Sequence, residues 1–145
     1  MTIKSFRGQI ADGSIDTISL STNNGSTGYR IVKFNLMQVQ PGEKVGEHIV
    51  KIFSIPQTTT SVSGVIDFSD NTLLGAGHLK THTSEIYADT ITIVFDNMTF
   101  NQDVYITHIE QGSDAVNYYI EMEQVKLDLN ENTVATLKDI RNTTQ

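Results

Sequence analysis

The sequence contains no cysteine, no tryptophan, only two prolines and only five alanines. Without cysteine, a small secreted scaffold stapled by disulfides is excluded. Five alanines are too few for a mostly helical chain of this length. No stretch approaches the ~18 apolar residues of a membrane-spanning helix, and the first residues hold no apolar run, so we expect no membrane segment and no secretory signal. These absences favour synthesis in a reducing cytoplasm.

β-Branched residues are abundant, with 16 Ile, 11 Val and 18 Thr among the 145 residues. Their branched side chains restrict χ1 and suit a pleated strand better than a helix. The length matches one domain of ~100–150 residues, which can bury a core without help from a metal or a disulfide. We therefore predict a single all-β domain over residues 1–145.

The chain is acidic, with a formal net charge of −7. Residues 1–80 carry seven Lys and Arg against six Asp and Glu, whereas residues 81–145 carry three against eleven. An acidic surface repels phosphate backbones, and no cluster of basic residues is present, so we expect no nucleic-acid partner. Solubility is the simplest reason for the acidic half, and a patch for a basic partner is the alternative.

Short segments of alternating hydrophobicity recur along the chain and are separated by turn residues, a spacing typical of a sandwich or barrel. We predict a β-sandwich of jelly-roll type with seven to nine strands. Two details are specific: the strands over 104–109 and 116–122 are expected to pair as a hairpin, and residues 73–78 suit a bend because they contain Gly75 and Gly77. The predicted strands cover residues 3–10, 15–21, 29–39, 48–55, 62–68, 90–95, 104–109 and 116–122.

The apolar period changes from two to about three after Asn130, which predicts one short C-terminal helix at about 131–141. Its apolar stripe consists of Val134, Leu137 and Ile140. A helix of about ten residues is not stable alone in water, so this stripe must dock on its own sandwich or on a partner.

Two neighbouring strands are predicted to carry apolar residues on both faces. In the strand over 29–39, Ile31, Met37 and Val39 are expected opposite Phe34 and its same-face neighbours. A sandwich on its own buries one face of each sheet and exposes the other to water. An apolar second face must therefore be covered by another surface. We predict a homo-oligomer, most simply a trimer; the alternative is that the C-terminal helix covers this face within its own chain. The predicted interface residues are Ile31, Met37, Val39, Val134, Leu137 and Ile140.

Candidate metal sites are weak. His78 and His82 have the i, i+4 spacing of a helical metal pair, but the glycines before them argue against a helix. Asp67, Asp70 and Asn71 offer oxygen ligands, but the stretch lacks the glycine and terminal glutamate of a calcium loop, and an Asx turn is the simpler interpretation. We predict no metal site and no cofactor.

A catalytic site is not indicated either. Glu121 and Glu123 share one face of a strand, and their separation of ~6.6–6.8 Å is within the range of paired carboxylates in inverting glycosidases. A solvated strand face is the preferred interpretation, because only Tyr119 on that face could stack a sugar. His48 and His108 are expected at half-buried or surface positions. No nucleophile, base and orienting group can be named, so we predict no enzyme.

Several stretches of the sequence are distinctive. They are Ser-Phe-Arg-Gly at 5–8, Ala-Asp-Gly at 11–13, Asp-Thr-Ile-Ser-Leu-Ser-Thr at 16–22, Gly25, Gly-Tyr-Arg-Ile-Val-Lys-Phe at 28–34 and Val-Ala-Thr-Leu-Lys-Asp-Ile-Arg-Asn at 134–142. These stretches resemble small virion structural proteins of tailed bacteriophages that infect marine bacteria, including cyanobacteria. The resemblance covers both ends of the chain and, more loosely, its middle. It implies assembly on a virion, as a capsid decoration protein, and proteins of that class are commonly β-rich and often trimeric.

Two functions follow as hypotheses. The first is a non-enzymatic virion structural protein, a decoration or cement protein that assembles as an oligomer on a capsid or on another virion protein. The second is a tail-associated binding module for a host surface or glycan. For that second function the five tyrosines could supply stacking surfaces in place of the missing tryptophan. They are Tyr29, Tyr87, Tyr105, Tyr118 and Tyr119.

Overall fold

The computed structural model describes residues 2–20, 26–41, 45–81, 89–95 and 97–127. Within these ranges the regular secondary structure consists of eight β-strands and no helix, which confirms the all-β prediction. The same ranges contain no helix long and apolar enough to cross a membrane. The helix predicted at about 131–141 lies outside the described residues. The strands are β1 (Thr2–Ile10), β2 (Ile15–Ile18), β3 (Thr27–Gln38), β4 (Glu47–Phe53), β5 (Leu73–Lys80), β6 (Asp89–Val94), β7 (Val104–Glu110) and β8 (Val116–Lys126).

The strands form two antiparallel sheets that face each other. The three-stranded sheet has the order β1-β8-β3, and the five-stranded sheet has the order β2-β7-β4-β5-β6. β8 is the central strand of the smaller sheet and pairs with β1 along its whole length, from Thr2 opposite Gln124 to Ile10 opposite Val116. The core lies between the inner faces of the sheets, and its fully buried members include Ile10, Ile31, Val50, Ile52, Leu74, Leu79, Val104, Ile106, Ile120 and Met122.

The predicted hairpin of β7 and β8 is wrong. β7 pairs with β2 and β4, whereas β8 pairs with β1 and β3, so residues 111–115 carry the chain from one sheet to the other. The apolar faces of these strands, with Ile106 on β7 and Ile120 on β8, are buried against each other across the core rather than side by side. The Glu110 carboxylate accepts the backbone N–H groups of Gly112 and Asp114 and thereby holds the crossing.

Residues 73–78 form the first part of β5 and not the predicted bend. Gly75 and Gly77 stand in the ladder opposite Ile52 and Val50 of β4. At Gly77 a Cβ atom would lie 2.8 Å from Cδ1 of Leu36, which belongs to the facing sheet. The missing side chain therefore lets β3 approach β5, so close sheet packing and not turn formation explains this glycine.

The outer face of the five-stranded sheet is covered by the chain itself. Residues 54–72 contain no strand, so the strand predicted at 62–68 is wrong. This covering segment crosses the outer side of β4 and β7, where Gly64 packs on Ile49 and Ile109. The buried Lys51 Nζ donates to the carbonyl of Val65 at 2.7 Å, which ties the segment to the sheet. Burial lowers the pKa of Lys51, and nearby Asp70 partly opposes that shift.

A bulge in β3 changes which residues face the core. The register with β8 passes from Ile31 opposite Met122 to Lys33 opposite Glu121, so Val32 is the extra residue. Ile31 therefore lies on the same face as Phe34 and is only 1% exposed. The predicted placement of Ile31 on the opposite face is wrong, because strict alternation fails at a bulge.

Candidate functional site

The outer face of the three-stranded sheet carries most of the polar side chains that sequence reasoning placed on one side of β8. Alternation along this strand directs Val116, Tyr118 and Ile120 into the core, and Asn117, Tyr119, Glu121 and Glu123 outward. The antiparallel register sets Tyr119 between Arg7 of β1 and Asn35 of β3. It sets Asn117 between Gln9 and Met37 in the same way.

A cleft of about 590 Å³ opens on this face. That volume falls within the ~300–1,000 Å³ typical of small-molecule sites. The cleft combines two cations, two amides, one aromatic ring and one thioether, and three strands position them through register alone. The outer-face residues that line the cleft are Arg7, Lys33, Asn35, Met37, Asn117 and Tyr119.

Tyr119 is held in place by a carboxylate on its own strand. Its hydroxyl donates to Oε2 of Glu121 at 2.7 Å. This hydrogen bond raises the pKa of Tyr119 above its ordinary value, because ionising the phenol would set two negative charges against each other. The same hydrogen bond fixes the position of the ring beside the cleft.

The cations of this face have different environments. Nε of Arg30 donates to Oε2 of Glu123 at 2.7 Å, which neutralises that arginine at one end of the sheet. Arg7 and Lys33 have no ion-pair partner in the part of the chain that the structure describes. The cleft is therefore lined by two cations without an ion-pair partner, on a protein with a net charge of −7, and the Glu121 carboxylate lies opposite Lys33 in the register.

Asn117 has a fixed orientation within the cleft. Its Oδ1 accepts a hydrogen bond from Nε2 of Gln9 at 3.1 Å, and its Nδ2 donates one to the backbone carbonyl of Gln38 at 3.3 Å. An amide held from both ends presents its remaining donor and acceptor capacity in one direction. The floor of the cleft is therefore ordered without a ligand.

The predicted interface residues are divided between different environments. Met37 is 63% exposed and lines the cleft, and Val39 is half-buried just after β3. Ile31 lies in the core, as described above. Val134, Leu137 and Ile140 lie outside the described residues, so the structure places only Met37 on an open outer surface.

A second exposed surface, the outer apolar patch, lies on the five-stranded side. Ile91 and Ile93 both lie on the outward face of the edge strand β6, and Ile93 is paired with Ala76 of β5. The covering segment adds further apolar residues to this side of the sheet. The carbonyl of Val65 accepts a hydrogen bond from Lys51 of β4, and Lys51 is paired with Ala76 of β5, the same residue that pairs with Ile93. The ring of Phe68 meets Phe95, next to the end of β6, with 5.3 Å between ring centroids. We define the patch as Val65, Ile66, Phe68, Ile91 and Ile93, each at least 38% exposed.

The two strand histidines predicted at half-buried or surface positions lie instead in the core. Nδ1 of His48 is 2.9 Å from Nε2 of His108, and the rings stack at 5.2 Å. The two strands have His48 opposite Glu110 and Val50 opposite His108, so both rings point inward from adjacent strands. Fully buried rings have no access to a substrate, which makes this pair part of the interior and not of a catalytic site.

Burial lowers the pKa of both histidines. For His48 the neighbouring His108 acts in the same direction, whereas Glu110, Asp114 and Asp12 oppose the shift. For His108 the carbonyls of Ala11 and Ile10 oppose it, although Nδ1 makes no complete hydrogen bond with either. The pair is therefore neutral near pH 7, with one ring donating to the other.

The remaining sequence candidates are ordinary structural features. Oδ1 of Asp67 accepts the N–H and the hydroxyl of Ser69, and Oδ1 of Asp70 accepts those of Thr72, so both aspartates form Asx turns as the simpler interpretation had it. His78 lies on β5 beside Glu47, with 3.4 Å between the ring nitrogen and the carboxylate. Among the described residues, no three His, Cys, Asp or Glu side chains converge as a metal-binding group.

The tyrosines proposed for stacking have different positions. Tyr29 and Tyr118 are buried, Tyr105 is half-buried on the outer face of β7, and Tyr87 lies outside the described residues. Tyr118 and Tyr119 both line the cleft, but the side chain of Tyr118 is buried in the core, so of the four described tyrosines Tyr119 is the one with its ring on the outer face. Sequence reasoning did not identify Arg7, Lys33 and Asn35, because only the pairing register brings them beside Tyr119.

No family model, no curated protein and no solved structure matches this chain. Its function must therefore be inferred from the surfaces just described.

Proposed function

We propose that the chain is a non-enzymatic structural protein of a bacteriophage virion, a capsid decoration protein that assembles as a homo-oligomer. We expect a trimer, because the decoration proteins that the sequence resembles are often trimeric. The single observation that supports assembly best is the outer apolar patch. Val65 is 71% exposed and Ile91 is 62% exposed on the same side of the molecule. Monomeric proteins rarely leave contiguous apolar patches larger than a few hundred Å² in water. An identical subunit is the simplest cover for such a patch.

The strand order supports a jelly roll as the fold type. The first strand pairs with the last, the second with the seventh and the fourth with the fifth, as in a chain that is folded in half and then rolled. β6 departs from full nesting, because it joins β5 and not β3. Double-sheet jelly rolls occur in viral capsid and lectin domains, so the fold is compatible with the proposal but does not by itself establish it.

The interior supports the non-enzymatic part. The buried histidine pair is closed to substrate, and the paired carboxylates of β8 are each committed: Glu121 to Tyr119 and Glu123 to Arg30. These two contacts favour a role for both glutamates in holding the sheet together.

Light scattering on the purified chain tests the assembly. We expect a mass near three subunits at micromolar concentration, and Ile91→Thr with Ile93→Thr should shift the protein to monomer, because threonine keeps strand propensity but removes apolar surface. Ile3→Thr is the matched control, since Ile3 is exposed on the other sheet. A monomeric parent protein would contradict the oligomer.

Co-sedimentation tests the virion partner. The chain should pellet in stoichiometric amounts with capsids assembled from the major capsid protein of the phage that encodes it. A soluble chain that stays in the supernatant at all capsid concentrations would contradict the decoration function.

A further inference from the structure

The cleft on the three-stranded sheet has a charge opposite to that of the whole protein. None of the nine residues that line it is acidic, and Arg7 and Lys33 are both basic. The nearest carboxylate in the register, Glu121, lies opposite Lys33 and keeps its negative charge, but it accepts the hydroxyl of Tyr119 and does not line the cleft. A positive recess on a protein with a net charge of −7 favours a small anionic ligand, whose approach is directed to this recess.

The three strands hold the cations on opposite sides of the aromatic ring. Arg7 of β1 is directly opposite Tyr119 of β8, whereas Lys33 of β3 is opposite Glu121 and therefore diagonal to Tyr119. The outer two strands are ~10 Å apart at two strand spacings. A ring-shaped ligand lying on Tyr119 would meet a guanidinium on one side and an ammonium on the other. The amides of Asn35 and Asn117 complete the lining, and amides both donate to and accept from hydroxyl groups.

We propose that this cleft binds a short saccharide that carries carboxylate groups. The apolar face of a sugar ring packs on Tyr119. The guanidinium of Arg7 takes a carboxylate in a bidentate hydrogen bond, and Lys33 takes the next carboxylate as a point charge. The hydroxyls bind Asn35 and Asn117.

A nucleic-acid strand fits this cleft less well, although it also combines rings with negative charge. Binding along a phosphate backbone needs several cations in a continuous track, and this face has acidic Glu121 and Glu123 directly beyond the cleft. A short acidic saccharide meets less of that repulsion, because it spans fewer residues of this face than a nucleic-acid strand does. The inference is independent of the proposed assembly, since the outer apolar patch lies on the other sheet.

Isothermal titration calorimetry with tetragalacturonate tests the inference, and the uncharged galactotetraose serves as the matched ligand. We expect tetragalacturonate to bind at least about tenfold more tightly, because a charge-assisted hydrogen bond contributes more than a neutral one. Arg7→Gln and Lys33→Gln should each weaken binding about tenfold, and Tyr119→Leu should weaken it while Tyr119→Phe retains it.

Arg30→Gln is the matched control, because Arg30 lies on the same face but is paired with Glu123 and does not line the cleft. It should leave the affinity within about twofold, whereas the cleft variants should keep the parent melting temperature since their side chains lie on the surface. Equal binding of both saccharides, no binding at millimolar tetragalacturonate, or tighter binding of tetrathymidylate would each overturn the proposal. Unchanged affinity in Arg7→Gln and Lys33→Gln would overturn it as well.

Discussion

At the scale of single residues, two histidines decide how the interior responds to acid. His48 and His108 are buried side by side on adjacent strands, and their pKa values are lowered chiefly by burial. A histidine with a lowered pKa in the folded state takes up its proton more readily when the chain is unfolded. The unfolded chain binds protons as the pH falls through about 6.5, so the folded state loses stability in that range and keeps it above.

We therefore expect the melting temperature to be constant between pH 8 and 7 and to fall between pH 6.5 and 5.5. Replacing both histidines with glutamine should flatten that dependence while lowering stability at pH 7.5, because the stacked pair is lost. His78→Gln, on the outer face of β5, is the matched control and should keep the parent profile. A parent protein whose melting temperature does not change over this range would contradict the argument.

At the scale of elements, the strands were predictable and their partners were not. Alternation of side chains located β1, β3, β4, β6, β7 and β8 to within a few residues, since each has one apolar face. β5 was missed because its glycines carry no pattern. Gly77 is explained by Leu36 and Phe34 of the facing sheet, and a Cβ at Gly75 would lie 3.1 Å from the backbone oxygen of Ile93 on the neighbouring strand. The hairpin of β7 and β8 was wrong for a related reason: alternation shows which face of a strand is buried, not which strand lies beside it.

Gly77→Ala tests the close approach of the sheets. The new methyl group would lie 2.8 Å from Cδ1 of Leu36 and 3.0 Å from Cε2 of Phe34. We expect a loss of about 1–3 kcal/mol in the free energy of unfolding, as in other overpacked cores. Denaturant titration measures it.

A second substitution separates crowding from a backbone effect. Adding Leu36→Val should restore part of the stability of Gly77→Ala, because it removes the contacting carbon. The same addition should give no recovery in Gly13→Ala, where φ is +73° and no atom lies within 4 Å of the new methyl group. Equal effects in both backgrounds would count against sheet spacing as the cause.

At the scale of the whole molecule, a polar contact joins the two sheets beside the apolar core. The hydroxyl of Tyr118 on β8 donates to Oδ2 of Asp16 on β2 at 3.0 Å. Burial raises the pKa of Tyr118, and the negative charge of Asp16 adds to that effect. Only the unfolded phenol ionises as the pH rises past about 10, so this residue contributes stability below that pH and loses it above.

Tyr118→Phe should cost about 1–2 kcal/mol at pH 7, because Asp16 loses a donor in a half-buried position. It should also reduce the fall in stability between pH 10 and 11. Tyr105→Phe, half-buried on the outer face of β7, is the control and should change stability by less than about 0.5 kcal/mol. If the two variants are equally stable, the contact between the sheets does not contribute.

The candidate site could be predicted only in part from the sequence. The outward face of β8 and the isolated position of Tyr119 followed from alternation, because that face carries carboxylates and amides. Arg7 and Lys33 are 26 residues apart in the chain and meet at the cleft through their common partner strand β8, which no local pattern reveals. The outer apolar patch depends in part on residues 54–72, where alternation predicted a strand at 62–68 and could not show that the segment crosses the outer side of β4 and β7.

The central place of β8 in its sheet has a consequence for biosynthesis. Among the described strands, β1 and β3 are hydrogen-bonded within their sheet only to β8, which is the last of these strands to leave the ribosome. Until β8 has been synthesised, these two strands have no sheet partner, and their apolar residues are exposed to water or bound by a chaperone. The smaller sheet therefore closes after translation of β8, and a nascent chain stalled before residue 116 cannot form it.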